Sequence, residues 1–308
     1  VWIKKAHQVG LIWEDMNKPN RPKNVAGAGG VWVILGFSLG VLTYIAIKTF
    51  YFKTAENLIG TFTILTTILM IGFVGFMDDL LGWQKGGLSK RSRIILLICS
   101  AVPLMVINAG ESTMLGIEFG IIYPLLLIPL GVVGVSTTYN FLAGYNGLEA
   151  GQGIIIFSGL AFATWKTGNS WLSVICLVMV ASLIAFYFFN KNPAKVFPGD
   201  VMTYAIGALI ASIAIIGNIE KIAVFFFIPY IIEFVLKTRG KLNKYSFGKP
   251  NKDGSLELPY DKIYGVEHLA IMILKKMKKN GKVYENEVVY LINGFQILII
   301  LVGTLIFL

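Results

Sequence analysis

The sequence predicts an all-α polytopic membrane protein with about nine transmembrane helices joined by cytoplasmic and external loops. Hydrophobic residues make up 56% of its 308 residues, charged residues supply 14%, and the mean hydropathy is +0.71. Apolar stretches long enough to cross a hydrocarbon core of about 30 Å recur from end to end. This composition excludes an ordinary soluble domain.

The apolar stretches are predicted to be transmembrane helices of a single integral membrane domain, residues 1–308. The fifth predicted span has a short uncharged stretch before Lys166 and is rich in glycine, so it is expected to be tilted or broken. The predicted spans are residues 25–47, 57–77, 93–110, 118–139, 153–166, 170–189, 199–217, 221–237 and 288–308.

Lysine and arginine are distributed unevenly between alternate loops, which predicts the sidedness of the chain. The loops between the basic ones are short and nearly neutral. With nine spans, this places the N-terminus in the cytoplasm and the C-terminus outside. The net charge of +10 is therefore expected to face lipid headgroups and phosphorylated substrates, not nucleic acid. The basic set comprises residues 1–24, 85–93, 140–152, 191–195 and 238–287.

Two adjacent carboxylates, Asp78 and Asp79, end the second apolar run in the sequence Gly75-Phe76-Met77-Asp78-Asp79. Carboxylate oxygens are ligands for Mg²⁺ and can bridge it to phosphate. A solvated helix end is an equally good interpretation of this motif by itself.

The stretch 140–152, NFLAGYNGLEAGQ, follows the fourth predicted span and is rich in glycine and side-chain amides. Glycine lets the backbone approach a ligand, and amides offer both donors and acceptors. A turn needs fewer such residues, so a binding loop is favoured. Asp200, in Val196-Phe197-Pro198-Gly199-Asp200, could by itself be a helix cap.

Residues 238–287 are predicted to form a basic cytoplasmic loop. Between Lys237 and Lys282 there are twelve Lys and Arg residues against four acidic ones. Apolar residues at helical spacing from Val266 to Met277 predict an interfacial amphipathic helix. Residues 241–262 could form a lid over a substrate or a solvated loop, and the sequence leaves both open.

In combination and in this order, GFMDD, NFLAGYNGLEAGQ and VFPGD resemble the polyprenyl-phosphate N-acetylhexosamine-1-phosphate transferase superfamily. The likeness extends over nearly the whole chain. It is greatest to the eukaryotic UDP-GlcNAc:dolichyl-phosphate branch and less to bacterial MraY and WecA. This eukaryote-like motif in an Ile- and Lys-rich sequence suggests an archaeal source. The superfamily has ten spans, so the resemblance implies that the first is missing here.

The resemblance implies a role for each matching residue. Asp78 and Asp79 match an acidic pair beside the acceptor phosphate, and Asn140 and Asp200 match residues that bind Mg²⁺ (or Mn²⁺) with the donor diphosphate. Arg93, and less closely Arg91, matches a basic phosphate ligand. The remaining expected substrate-binding residues, most of them near the uracil, are Met16, Gly144, Asn146, Glu149 and Phe197.

The chain departs from the superfamily pattern at two places. Thr137 stands where an asparagine is frequent, and the last cytoplasmic loop lacks the His cluster or Arg-His-Arg run that related enzymes carry. Lys244 and Lys249 are the nearest basic substitutes, expected to bind substrate. His268 does not match and is interpreted as an ordinary interfacial histidine, while Glu233 is expected to reach Lys237.

The expected activity is transfer of GlcNAc-1-phosphate from UDP-GlcNAc to a polyprenyl phosphate by an integral membrane enzyme, with its active site on the cytoplasmic face. Expected partners are the two substrates and membrane lipids, without nucleic acid, and a homodimer is compatible with the sequence. Another UDP-acetamido sugar, or undecaprenyl phosphate as acceptor, remains an alternative. An anion or phosphosugar transporter is disfavoured because the charges, Glu233 apart, stop at one face.

Overall fold

The computed structural model describes residues 1–114 and 117–308, the side chains at 84, 85, 113 and 114 excepted. It is mostly helical. The α-helices are α1 (Trp2–Val9), α2 (Gly30–Ala46), α3 (Leu58–Lys85), α4 (Lys90–Ser100), α5 (Val102–Val106), α6 (Ile128–Tyr139), α7 (Leu148–Lys166), α8 (Ser170–Asn190), α9 (Gly199–Ile216), α10 (Glu220–Phe226), α11 (Ile228–Arg239), α12 (Val266–Met277) and α13 (Glu285–Phe307).

Five helical segments of the described chain are long and apolar enough to cross a membrane, which makes this a membrane protein. A shorter apolar helix, Tyr123–Tyr139, joins a π-helical turn to α6. The count of nine spans stays a prediction. The five long segments are Gly30–Tyr51, Leu58–Trp83, Ser170–Asn190, Gly199–Ile216 and Glu285–Phe307.

Two predicted spans are divided into pairs of helices, at or next to a proline. Residues 93–110 correspond to α4 and α5, which meet at Ala101 just before Pro103. Residues 221–237 correspond to α10 and α11, which meet at Phe227 before Pro229. Proline lacks the N–H that continues a helix but fits a first turn, and each proline is the second residue of its new helix.

The fifth predicted span, 153–166, is one unbroken helix that begins five residues earlier than predicted. α7 starts at Leu148, after Gly147 in the left-handed conformation with φ +83°. Residues 148–152, which were predicted to belong to the loop 140–152, are therefore buried helix. The expectation of a broken span is wrong, because the glycines of this stretch are accommodated within one continuous helix. The alternative of a tilted span stays a prediction.

Within the described residues, three short two-stranded antiparallel hairpins connect helices of this otherwise helical membrane protein. They pair β1 (Ile12–Glu14) with β2 (Lys23–Ala26), β3 (Thr113–Met114) with β4 (Ile117–Glu118), and β5 (Lys249–Pro250) with β6 (Leu256–Glu257). The first hairpin matters for the site, because Ala26 forms a parallel bridge with Val196.

Helix α9 lies at the centre of the bundle and packs against α3 and α6. Every residue from Val201 to Ile215 is buried. Glycines allow the close approach: a Cβ at Gly75 of α3 would lie 2.5 Å from the Asp200 carbonyl oxygen, and one at Gly207 would lie 2.5 Å from Cα of Ser136. The polar start of α9 is thereby fixed against α3 and α6.

The predicted amphipathic helix is confirmed as a helix, α12, over Val266–Met277. It packs against α11 and α13, and its buried residues include Glu267 and His268. The prediction of an interfacial His268 is wrong: the ring is 0% exposed, because it lies on the face of α12 that turns inward.

We expect Gly75→Ala to lower the free energy of unfolding by about 1–3 kcal/mol, since the new methyl group would overlap the backbone of α9. Gly134→Ala in α6 is the matched control, because a Cβ there has nothing within 4 Å. It should leave stability unchanged or raise it by up to about 1 kcal/mol. Unfolding in detergent, followed by circular dichroism, measures both; equal stability of the two variants would contradict the close-contact argument.

Candidate active site

A cavity of about 730 Å³ opens where the polar ends of α3, α6, α7 and α9 meet the first hairpin and residues 237–247. It gathers segments far apart in sequence, as expected for groups on one membrane face. Eight of the residues predicted from sequence line it: Met16, Asp79, Asn140, Gly144, Glu149, Phe197, Asp200 and Lys244.

Asp79 caps the N-terminus of α9 from a different helix. The Asp200 N–H donates to Asp79 Oδ1 (2.8 Å) and the Val201 N–H donates to Asp79 Oδ2 (3.2 Å). A carboxylate at a helix N-terminus satisfies unpaired N–H groups and interacts favourably with the helix dipole. Gly199 makes room for it: its φ is +71°, and a Cβ there would meet the Asp79 carboxylate.

Asn140 joins Asp200 to the C-terminal end of α6. Its Nδ2 donates to Asp200 Oδ1 (3.0 Å), and the Thr203 hydroxyl donates to Asn140 Oδ1 (2.9 Å). The two residues predicted as metal ligands are therefore brought together across 60 positions of sequence. Thr203 was not predicted, although it lies one helical turn after Asp200 and so shares its face.

Asp78 and Arg93, both predicted to contact substrate, lie behind the cavity wall. Arg93 Nη2 is 2.6 Å from Asp78 Oδ2, and Asp78 Oδ1 accepts from the Leu88 N–H (2.7 Å). Asp78 is buried beside the Asp200 carboxyl group, and the Arg93 guanidinium lies 6.0 Å from the Tyr204 ring centroid. The ion pair thus fastens α4 and the preceding turn to α3, next to α9.

The glycine-rich stretch forms the opposite wall. The Gly144 N–H donates to Glu149 Oε1 (2.7 Å), and Asn17 Nδ2 donates to the Gly144 carbonyl (2.9 Å). Gly144 has φ +104°, and a Cβ there would lie 2.4 Å from the Phe247 ring. Glycine is therefore required by both conformation and packing. Glu149, in the first turn of α7, shapes this wall by holding the Gly144 amide.

Asn146 was predicted to contact substrate and instead lies outside the cavity lining, in a buried network. Its N–H donates to Glu285 Oε1 (2.8 Å), and its Nδ2 donates to Asp15 Oδ2 (3.0 Å). Lys18 pairs with the same Glu285. This network ties the N-terminal loop to α13 and so fixes the position of Met16.

The remaining predicted basic residues differ in placement. Lys244 lines the cavity, and its ammonium group lies 4.7 Å from the Tyr260 ring centroid. Lys249 and Arg91 are exposed and lie outside the lining. Phe197 lines the cavity in a segment held by β2, since its N–H donates to the Ala26 carbonyl (2.8 Å).

Several lining residues were missed by the sequence analysis. Lys23 of β2 and Lys237 of α11 contribute cations, and residues 245–247 form part of the wall. No local pattern singles out Lys23 or residues 245–247, because tertiary packing alone brings them to the cavity. The expected pairing of Glu233 with Lys237 is confirmed, with 3.5 Å between Oε1 and Nζ.

Oxygen ligands suited to Mg²⁺ line the cavity at Asp79, Asn140 and Asp200. In residues 1–114 and 117–308, no three His, Cys, Asp or Glu side chains are arranged to hold a metal ion. Magnesium is usually bound by one or two carboxylates together with substrate phosphates and water, so two carboxylates and an amide fit such a site.

The sequence profile described as Glycosyl transferase family 4 matches residues 61–218, just over half of the chain. The chain belongs to this family. The matched region contains Asp79, Asn140 and Asp200, whereas the cavity wall formed by residues 237–247 lies beyond it in this family 4 protein.

Relatives in three organisms extend the comparison. A protein of Saccharolobus solfataricus, provisionally named UDP-N-acetylglucosamine–dolichyl-phosphate N-acetylglucosaminephosphotransferase, is 34% identical over 96% of this chain and 88% of its own length. A Sulfolobus acidocaldarius protein with the same provisional name is 32% identical over 94% and 85%. A Geobacillus phospho-N-acetylmuramoyl-pentapeptide-transferase is 31% identical over 67% and 65%.

His268, behind the wall formed by residues 245–247, predicts a pH dependence of stability. Burial, and secondarily the charge of Lys237, lowers its pKa from 6.5 to about 4. The folded protein therefore binds fewer protons than the unfolded chain, and stability contributed by neutral His268 is lost as pH falls from 6.5 to about 4.

Thermal midpoints measured from pH 7.5 to 4.5 should therefore fall more steeply for the wild type than for His268→Gln, which cannot titrate. Burial raises the pKa of Glu267, so this residue makes stability change with pH in the opposite direction. Both proteins contain Glu267, so its effect cancels in the comparison. Identical pH profiles would show that His268 is not held neutral.

Proposed function

We propose that this family 4 protein transfers GlcNAc-1-phosphate from UDP-GlcNAc to a polyprenyl, dolichyl-type phosphate. The products are polyprenyl-diphosphate-GlcNAc and UMP, which makes this the first membrane step in assembling a lipid-linked oligosaccharide for protein glycosylation. The observation that carries the proposal is the gathering of Asp79, Asn140 and Asp200 in one cavity. Two archaeal relatives that match almost the whole chain bear names with this activity.

The reaction needs a site that brings two anionic groups together. A phosphate monoester is largely dianionic at neutral pH because its second pKa is about 6, so a polyprenyl phosphate oxygen can attack the donor phosphorus without a strong base. The obstacle is charge repulsion. Lys23, Lys237 and Lys244 place cations on the cavity wall, where they offset the charge of the substrates.

In this proposal the two adjacent carboxylates have different tasks, which the hydrogen bonds of Asp79 and the ion pair of Asp78 support. Asp79 lines the cavity but gives both oxygens to the start of α9, so it fixes the position of Asp200. Asp78 with Arg93 supports the same helix end from behind. Asp78 and Arg93 therefore act as positioning residues, while Asn140 and Asp200 meet the donor diphosphate.

A divalent cation, Mg²⁺ or Mn²⁺, would be held by Asn140 and Asp200 with Asp79 alongside. When bound, it supplies positive charge that stabilises the diphosphate and the departing UMP. The chain contributes the orientation: Thr203 bonds the oxygen of Asn140, and the Asn140 amide bonds Asp200, so both side chains are held in place before substrate arrives.

The site is proposed to face the cytoplasm in a nine-span protein of the cell membrane. Its support is the concentration of Lys and Arg in the loops that build the cavity. Membrane lipids and the two substrates are the proposed partners, and no nucleic acid is involved.

A second candidate uses a different sugar or acceptor. The Geobacillus relative is named for transfer of a phospho-N-acetylmuramoyl-pentapeptide. A UDP-acetamido sugar other than UDP-GlcNAc, or undecaprenyl phosphate, would engage the same Asn140 and Asp200. The transporter alternative is not favoured, because residues 201–215 at the centre of the bundle are apolar apart from small hydroxyl groups and one tyrosine.

Purified protein given a panel of UDP-sugars, a short polyprenyl phosphate and Mg²⁺ should release UMP fastest from UDP-GlcNAc, and only with the lipid present. Asp200→Asn should reduce the rate by at least about a hundredfold, since it removes the charge that meets the diphosphate. The control is Asp261→Asn, an exposed acid outside the cavity lining, which should keep wild-type rates. UMP release without lipid, or full activity of folded Asp200→Asn, would refute the proposal.

Short epitope tags test the sidedness. Gly86, Gly168 and Gly254 occupy open turns where a Cβ would have nothing within 4 Å, so insertions there should be tolerated. Tags at Gly86 and Gly254 should be protected from external antibody in intact cells, and a tag at Gly168 should be accessible. Gly86 and Gly254 on opposite faces would contradict a single cytoplasmic site.

A further inference from the structure

Lys237 is a partly buried cation at the edge of the cavity that has no part in the sequence-based description of the site. It lies in the last turn of α11 and lines the cavity, while its side chain is 12% exposed. An ammonium group is costly to bury unless it is paired, so its position needs explaining.

Two partners hold the Lys237 ammonium group. Its Nζ lies 3.5 Å from Glu233 Oε1, one helical turn earlier, and it donates to the hydroxyl of Ser246. An ammonium group has three N–H donors. These two partners leave the third donor for a ligand in the cavity that Lys237 lines.

Glu233 is fixed in turn by the start of α12. It is 0% exposed, and its Oε2 accepts from the Val266 N–H (2.6 Å). A Cβ at Gly265 would lie 3.3 Å from both Glu233 oxygens and 2.7 Å from Glu267 Oε2, so the two carboxyl groups converge on this glycine. Burial and the charge of Glu233 raise the pKa of Glu267, and Lys237 is the cation paired with Glu233 beside it.

The other cations of the cavity lining are held less firmly. Lys244 is exposed, and its ammonium group lies over the rings of Tyr260 and Tyr264. Lys23 is exposed on β2. Lys237 is mostly buried and its Nζ is held by two partners. Among the lining lysines, its charge is therefore the one that is fixed before substrate binds and is least screened by water.

We propose that Lys237 binds the diphosphate of the nucleotide-sugar donor and that Glu233 positions it for that contact. The inference rests on the proposed function. It adds a cation of α11 to the substrate-binding lysines that were predicted in the following loop, Lys244 and Lys249. The link from Lys237 to Ser246 also holds the wall that places Phe247 over Gly144.

Direct binding of UDP-GlcNAc to detergent-purified protein, followed by calorimetry with Mg²⁺ present, tests the contact. Lys237→Gln should weaken binding by about tenfold or more, the value of one charge-assisted hydrogen bond. The KM for polyprenyl phosphate should change less than twofold. Lys252→Gln, an exposed lysine of the same basic segment outside the cavity lining, is the matched control and should bind as the wild type does.

Glu233→Gln should weaken UDP-GlcNAc binding in the wild-type background and have no further effect in Lys237→Gln. A carboxyl group that merely stabilised the fold would weaken binding in both backgrounds. Lys237→Met serves as a second variant if Lys237→Gln does not fold. The inference would be overturned by wild-type affinity in a folded Lys237 variant, or by additive effects of the two substitutions. The proposed function itself would be refuted if the wild-type protein released no UMP from any UDP-sugar.

Discussion

The site depends on one contact, the capping of α9 by a carboxylate from α3. Asp79 accepts hydrogen bonds from the N–H groups of Asp200 and Val201, and Gly75, one turn earlier on α3, lets the two helices approach closely enough for this. A helix that begins inside a polar cavity would otherwise leave its first N–H groups unpaired. The position of Asp200, and through it that of Asn140, follows from this cap.

Around that contact the cavity is closed by segments that each depend on a distant partner. The first hairpin is joined to Val196, and Gly144 is covered by Phe247. Lys237 connects the same wall to Glu233 of α11, which accepts a hydrogen bond from the start of α12. Many of the charged groups near the cavity serve to position the few that line it, which agrees with the general pattern that functional side chains are fixed by their neighbours.

Local sequence predicts the parts of this protein that local physics determines. Apolar runs and the helical spacing of residues 266–277 predicted helices. Polar motifs at the ends of apolar runs predicted Asn140 and Asp200 as site residues, and the structure brings these two together. Contacts between segments far apart in sequence could not be predicted from local patterns. The cap on α9 joins residues 121 positions apart, and Lys237 reaches the cavity because α11 packs where it does. Asp78 looked like its neighbour Asp79 in sequence, yet successive residues of a helix face different directions, and it pairs with Arg93 instead.

The network joining the N-terminal loop to α13 has a consequence for the order of events during biosynthesis. Lys18 pairs with Glu285, a residue 267 positions later, and Asn146 bonds both Asp15 and Glu285. The N-terminal loop is synthesised long before α13, so Lys18 meets Glu285 only after α13 has been made. Because contacts between residues so far apart in sequence form late, we expect the cavity wall beside Met16 to close after α13 is in place.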